Sequence, residues 1–412
     1  MDRPSKKLRL DNISLLEAIG KNNHDEVLVL IENGADINPE TNDWIECPLL
    51  YAIYHGHVQI TETLVMLGAE VDKKYSDGGT VTGTPIHWAT IHNQKEIIKI
   101  LVDHGADVDT EYVDGNSPIH SAIYQNNNEV VSVLIKCGAD INKENRIKRT
   151  PLQIAVQKKN EDIIKLLIQK GARIEHRLES GYYKASLHQA VKDNEKSIVE
   201  LLLNNGANIE VRDGIFNRSP LHYASDENLP SILKILLENG ADTEAEDCSR
   251  STPIILAIYK DNKQAVHILL EHGAKLDHLI SDQMTPIHCA VVFKKKHILQ
   301  TLLNTNPNLR SNCFASILQF AALDGDLEIT RLLIECGVDV DSYHPAAGGP
   351  PINVAITENE VNPVEMTEWL LSKGASPKIR DQDGNTPLEC ALNKNVAHKL
   401  DMFKVITFNQ QK

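Results

Sequence analysis

The sequence predicts an all-α solenoid, in which helix-turn-helix units stack in one row and are joined by β-hairpin-like loops. Three observations predict it. Glycine recurs at Gly34, Gly68, Gly105, Gly138, Gly171, Gly206, Gly240, Gly273, Gly337 and Gly374, in segments such as "NGADIN", "HGADVD" and "NGANIE". At the same period the chain carries Pro48, Pro85, Pro118, Pro151, Pro220, Pro253, Pro286, Pro351 and Pro387, with Ser186 and Ser316 in the two gaps. An alanine stands four residues beyond each of these positions, except that Ala321 lies five beyond Ser316. A fixed period of this length is the mark of a repeat array, which folds by stacking neighbours rather than by closing one core.

Each element of the unit follows from its residues. A Thr-Pro step, as in "TPIHWA" and "TPLQIA", starts the first helix. Threonine caps it, and proline at the first helical position lacks an N–H that would have no partner anyway. The alanine falls where two helices must approach closely. A second helix follows, with apolar residues at helical spacing in "EIIKILVDHG", "DIIKLLIQKG" and "SIVELLLNNG". The glycine just beyond it supplies a left-handed C-cap. A polar, extended stretch such as "ADVDTEYVDGNS" then leads to the next Thr-Pro or Ser-Pro, with Asp-Gly marking a tight turn. One helix pair cannot enclose its own apolar face, so neighbours must cover it.

These residues resemble the ankyrin repeat, whose pattern is T-P-L-H-x-A at a period of about 33. "SPLHYA", "TPIHWA", "SPIHSA" and "TPIHCA" are close to it, while "ASLHQA" and "PPINVA" depart from it. Twelve units are expected over residues 11–400, between a basic tail at 1–10 and a C-terminal end at 401–412. The first unit (11–44) lacks Thr-Pro, and the last (386 to 400) lacks Gly-Ala-Asp, as terminal caps would. Two departures stand out. "NTNPNLRSNCFASILQF" loses both the helix-ending glycine and Thr-Pro, which predicts a weak joint at 300–316. "TENEVNPVEMTEW" inserts residues, and its Pro363 must lie in a turn or open the second helix.

Composition sets the class. Of 412 residues, 42% are hydrophobic and only 5% aromatic, and the net charge is −15. That balance speaks against nucleic-acid binding, which needs a basic footprint. Seven scattered cysteines without a CxxC pair read as free thiols of a reducing compartment. No apolar run is long enough for a membrane span, and MDRPSKKLRL is no secretory signal. A cytoplasmic monomer is expected. Lys6, Lys7 and Arg9 fit a K-K-x-R nuclear-import pattern or are simply a solvated basic terminus.

No motif announces catalysis, a metal or a cofactor. His87, His120, His188, His222 and His288 recur once per unit, a full repeat apart, so they do not converge on one centre. The resemblance implies that they hydrogen-bond within and between units. His55, His57, His92 and His104 read as solvated side chains. The glycine-rich "DGGTVTG" hairpin, together with Arg146, Lys148 and Arg149, offers an alternative reading as a site for a phosphorylated small molecule.

The resemblance implies a protein partner held in a concave groove of hairpin tips and first-helix faces. Trp44, Tyr54, Tyr75, Tyr112 and Tyr124 are the aromatic candidates there, since exposed aromatics act as anchors. Residues 25–46 carry seven acidic side chains and no basic ones, whereas 143–184 carry eleven basic against five acidic. Arg146, Lys148, Arg149 and Lys158 lie in that basic band and suit a partner with an acidic segment. An adaptor or scaffold is the expected role, with a microbial effector sharing the same biochemistry.

Overall fold

The computed structural model describes residues 13–41, 43–76, 82–112, 114–175, 185–280, 284–305, 317–343 and 349–395. It divides into two compact units, the first ending at Asn208 and the second beginning at Ile209. The basic tail, the glycine-rich turn at 77–81, the joint at 306–316 and the C-terminal end from 396 lie outside the described residues.

In the first unit, repeat 1 pairs a helix at 13–20 with His24–Glu32. Repeats 2 to 6 follow as Pro48–His55 with Val58–Met66, Pro85–Ile91 with Lys95–Asp103, and Pro118–Tyr124 with Asn128–Lys136. Pro151–Gln157 with Glu161–Gln169 and Ser186–Lys192 with Lys196–Asn204 complete it. The second unit opens with Pro220–Asp226 and Pro230–Glu238, then Pro253–Tyr259 and Lys263–Glu271, then Pro286–Val292 and Lys296–Thr305. Ile317–Leu323 with Leu327–Glu335, Pro351–Thr357 with Pro363–Ser372, and the single helix Pro387–Asn393 finish it. Pro363 opens its helix, one of the two places the insertion allowed.

Within each unit, first helices pack on first helices and second on second. Ala52, Ala89, Ala122 and Ala155 are fully buried at these contacts, where a larger side chain would push the helices apart. The recurring glycines sit at positive φ, as at Gly105 (φ 93°), and close the second helix.

The repeated histidine is the third helical residue of a capping box. The Ser117 backbone N–H donates to His120 Nδ1 at 3.1 Å, and the Ser219 N–H to His222 Nδ1 at 3.1 Å. An Nδ1 that accepts leaves the proton on Nε2, which donates into the next repeat. His120 reaches the Arg149 carbonyl (3.3 Å) and His222 the Ser251 carbonyl (3.0 Å). Burial lowers the pKa of His87, His120, His222 and His288 to about 4, so these rings are neutral struts. Where the motif reads "ASLHQA", Ala185 provides no side-chain cap.

A second tie joins neighbouring repeats. Asp72 Oδ1 accepts the Asp107 N–H (2.9 Å), Asp109 Oδ1 the Asp140 N–H (3.0 Å), and Asn142 Oδ1 the Arg173 N–H (2.8 Å). In the second unit Glu210 and Glu244 do the same for Asp242 (2.8 Å) and Lys275 (2.9 Å). Part of the acidic excess is therefore scaffold.

Candidate functional site

The first helices present one side chain to solvent six residues beyond each repeat proline. In repeats 2 to 5 these are Tyr54, Ile91, Tyr124 and Gln157. That position turns away from the second helix, which explains why Tyr54 stays 45% and Ile91 38% exposed. Trp44 stands in a short 3-10 turn, Trp44–Glu46, whose start is capped by Asp43 accepting the Ile45 N–H at 3.2 Å.

These placements assemble an aromatic cluster. The Trp44 ring lies 4.8 Å from Tyr54 and 5.2 Å from Trp88, in tilted packing. His92 meets Tyr54 edge-on at 5.2 Å and stacks on Trp88 at 6.3 Å. Exposed Ile45 adjoins Trp44 in the same turn. Burial lowers the pKa of His92; for His57, burial and then the nearby His55 act in the same direction. Trp88 Nε1 is buried here with no acceptor among the described residues. His92 is thus half-buried in ring contacts rather than solvated.

Two repeats further on, Lys158 Nζ sits 5.5 Å over the Tyr124 ring, so an aromatic candidate and a basic one meet in a cation–π contact. Arg149 donates to the Gln157 side chain on the same face. Lys148 pairs with Glu144 at 3.2 Å, and Lys143 reaches back to Glu111 at 3.3 Å. Arg146 packs its stem over Gly115, where an added Cβ would lie 2.5 Å from Arg146 Cγ.

Two hairpin aromatics behave differently. Tyr75 is only 1% exposed and belongs to the core, which corrects its place among the groove anchors. It lies in a strand, Tyr75–Ser76, paired antiparallel with Thr82–Gly83. Its hydroxyl hydrogen-bonds the Cys47 thiol, and burial raises the pKa of both groups. Lys73 Nζ covers its ring at 5.3 Å. Tyr112 is half-buried, edge-on to His87 at 4.1 Å and pressed on Gly83 of the preceding hairpin. Sequence reasoning passed over Trp88, hidden between His87 and Ala89 inside the scaffold motif; its bulk at that position was the available signal.

Models of ankyrin repeats match residues 15–65, 75–145, 142–213, 180–247, 221–313 and 318–410. The chain is an ankyrin-repeat protein. No curated protein matches the sequence. Among solved structures, the ankyrin repeat domain of Bcl-3, described as a unique member of the IkappaB protein family, is 28% identical. It superposes with a TM-score of 0.51 over 56% of this chain and 100% of that one. The human ASB11 ankyrin repeat domain is 24% identical, with a TM-score of 0.46, over 54% of this chain and 98% of that one.

The ankyrin repeats of the second unit carry a first-helix face of their own. Tyr259 is 54% exposed and meets Phe293 edge-on at 5.0 Å. Val292, Phe320, Leu323 and Ile329 line an apolar cavity of about 220 Å³ with Asp324 and Asp326. The hairpin tip of repeat 7 exposes Ile215 and Phe216, with the Arg218 guanidinium 5.2 Å over the Phe216 ring. No helix among the described residues is long and apolar enough to cross a membrane, and no group of three metal-ligating side chains occurs among them.

Proposed function

We propose that this chain is an intracellular adaptor or scaffold that binds partner proteins through the first-helix groove of its N-terminal unit. The half-exposed Trp44–Tyr54–Trp88–His92 cluster carries this reading. Large rings held rigid by one another lose little freedom on binding and exclude much water, which makes them energetic anchors. Tyr124, Arg149 and Lys158 extend the site and receive an acidic part of the partner. Tyr75 and Tyr112 support the site from within. The protein works as a monomer in the cytoplasm, or in the nucleus if Lys6, Lys7 and Arg9 direct import. The net charge of −15 disfavours nucleic acid as the partner. Arg146, Lys148 and Arg149 turn to Gly115, Glu144 and Gln157 respectively, so they are not gathered for one phosphate.

Affinity capture with the intact chain tests the reading. Proteins retained by wild type should be lost with Tyr54→Ala and with Trp88→Ala, yet kept with Tyr259→Ala, with the melting temperature unchanged for the two exposed tyrosines. Identical retention by all four proteins would refute the assignment.

A further inference from the structure

The two ends of this face differ in charge. Over residues 36–47, 70–76 and 107–114, which form the loops entering repeats 2 to 4, ten carboxylates stand against two lysines. Both lysines are drawn to carbonyls, Lys73 to Pro39 (3.1 Å) and Lys74 to Glu111 (3.1 Å). Glu40, Asp43 and Glu46, which flank Trp44 in the sequence, are exposed. Residues 143–149 reverse the sign with Lys143, Arg146, Lys148 and Arg149 against Glu144 alone, and Lys158 and Lys159 follow at the end of the next helix. The signs meet at the Lys143–Glu111 pair, 3.3 Å across neighbouring loops. Apolar and aromatic side chains bridge the two zones through Tyr54, Ile91 and Tyr124.

We infer that the partner enters this groove as an extended segment of opposite charge at its two ends, in a fixed direction, its basic end on repeats 2–3 and its acidic end on repeat 5. The inference rests on the groove reading above and adds the partner's chemistry and orientation. At the first end a lysine or arginine lays its charge over Trp44 and Tyr54 between Glu40, Asp43 and Glu46, gaining cation–π and ionic attraction together. At the other end a carboxylate meets Lys158 and Arg149, whose positions are already set by Tyr124 and Gln157. The span follows from packing. The first helices of repeats 2, 3, 4 and 5 pack consecutively, and packed helix axes lie about 8–10 Å apart, so three steps cover roughly 27 Å. An extended chain advances about 3.3 Å per residue, which places the two charges about eight residues apart. A segment with the opposite order would set like charges against each other at both ends, which is why orientation is fixed rather than free.

Panning a random library of peptides about ten residues long on the intact chain tests this. Enriched sequences should carry Lys or Arg at one end and Asp or Glu at the other, always in one order, with aliphatic or aromatic residues between. Glu40→Lys with Glu46→Lys should weaken the selected peptides by about tenfold and remove the basic preference alone. Arg149→Glu with Lys158→Glu should remove the acidic preference alone. Glu40, Glu46 and Lys158 are exposed and Arg149 is only half-buried, so melting temperature should hold. Enriched peptides without charge order, or with both orders equally, would overturn the directional inference while leaving the groove intact. Enrichment that survives Tyr54→Ala and Trp88→Ala unchanged would overturn the groove reading as well.

Discussion

Within the first unit, the hairpins and the first-helix face both carry aromatics, yet they use them in opposite ways. A hairpin has no apolar interior, so Tyr75 and Tyr112 fold down onto the neighbouring repeat, Tyr75 to Cys47 and Tyr112 to His87 and Gly83. The first helix already has its core on one side, so Tyr54, six residues past the proline, is left to solvent. Variability of a position in the repeat therefore does not by itself mean exposure. Phe216 in the second unit marks the limit of the rule: it lies beside Asn217, at positive φ (55°) in the turn, and stays exposed under Arg218.

The sharpest way to break this comparison is stability. Tyr75→Ala empties a core site and loses a hydrogen bond, and should cost about 3–5 kcal/mol in chemical denaturation. A cost below about 0.5 kcal/mol, the range of surface changes, would return Tyr75 to the binding face.

The histidine struts give a pH signature of comparable size. Folded pKa values of about 4 lie below the ordinary value of 6.5 for His87, His120, His222 and His288. Between these limits the unfolded chain binds more protons, so stability must fall as pH drops from 6.5 towards 4. Above 6.5 these groups contribute no pH dependence. Melting temperature should decline over that window, and His120→Gln, which keeps a capping acceptor as Gln153 does, should flatten the decline. A melting temperature constant over the window would contradict neutral, buried imidazoles.

Smaller effects sharpen the account of close packing. Ala155→Leu should overpack the helix contact and destabilise by ~1–3 kcal/mol. Gly115→Ala should act through φ 75° and the 2.6 Å approach to the Arg146 backbone nitrogen, destabilising by about 1 kcal/mol or more. A neutral Gly115→Ala in denaturant titration would mean that Arg146 moves aside freely.

Much of the fold was legible because packing dictates it. The prolines, alanines and closing glycines each solve a backbone or contact problem that admits few other residues. A second left-handed series, eight residues past the proline, went unread because Gly56, Asn93, Asn126, Lys159 and Asp261 share no single residue type. The ties from Asp72, Asp109 and Asn142 were visible as conspicuous polar positions, but their backbone partners lie one repeat away. The proposed site was half legible. Position and chemistry singled out Trp44, Tyr54, Tyr124 and Lys158, and the ring and cation–π contacts bring them into two neighbouring groups. Tyr75 misled because its burial depends on a neighbouring hairpin, and Trp88 was masked by the motif that contains it.

The most direct test is calorimetric titration of the most enriched peptide into wild type and Tyr54→Ala, with a melting curve for each protein. The account predicts a loss of about 2 kcal/mol in affinity, roughly thirtyfold, at nearly unchanged stability. Equal affinity for the two proteins would contradict a groove anchored on Trp44, Tyr54 and Trp88.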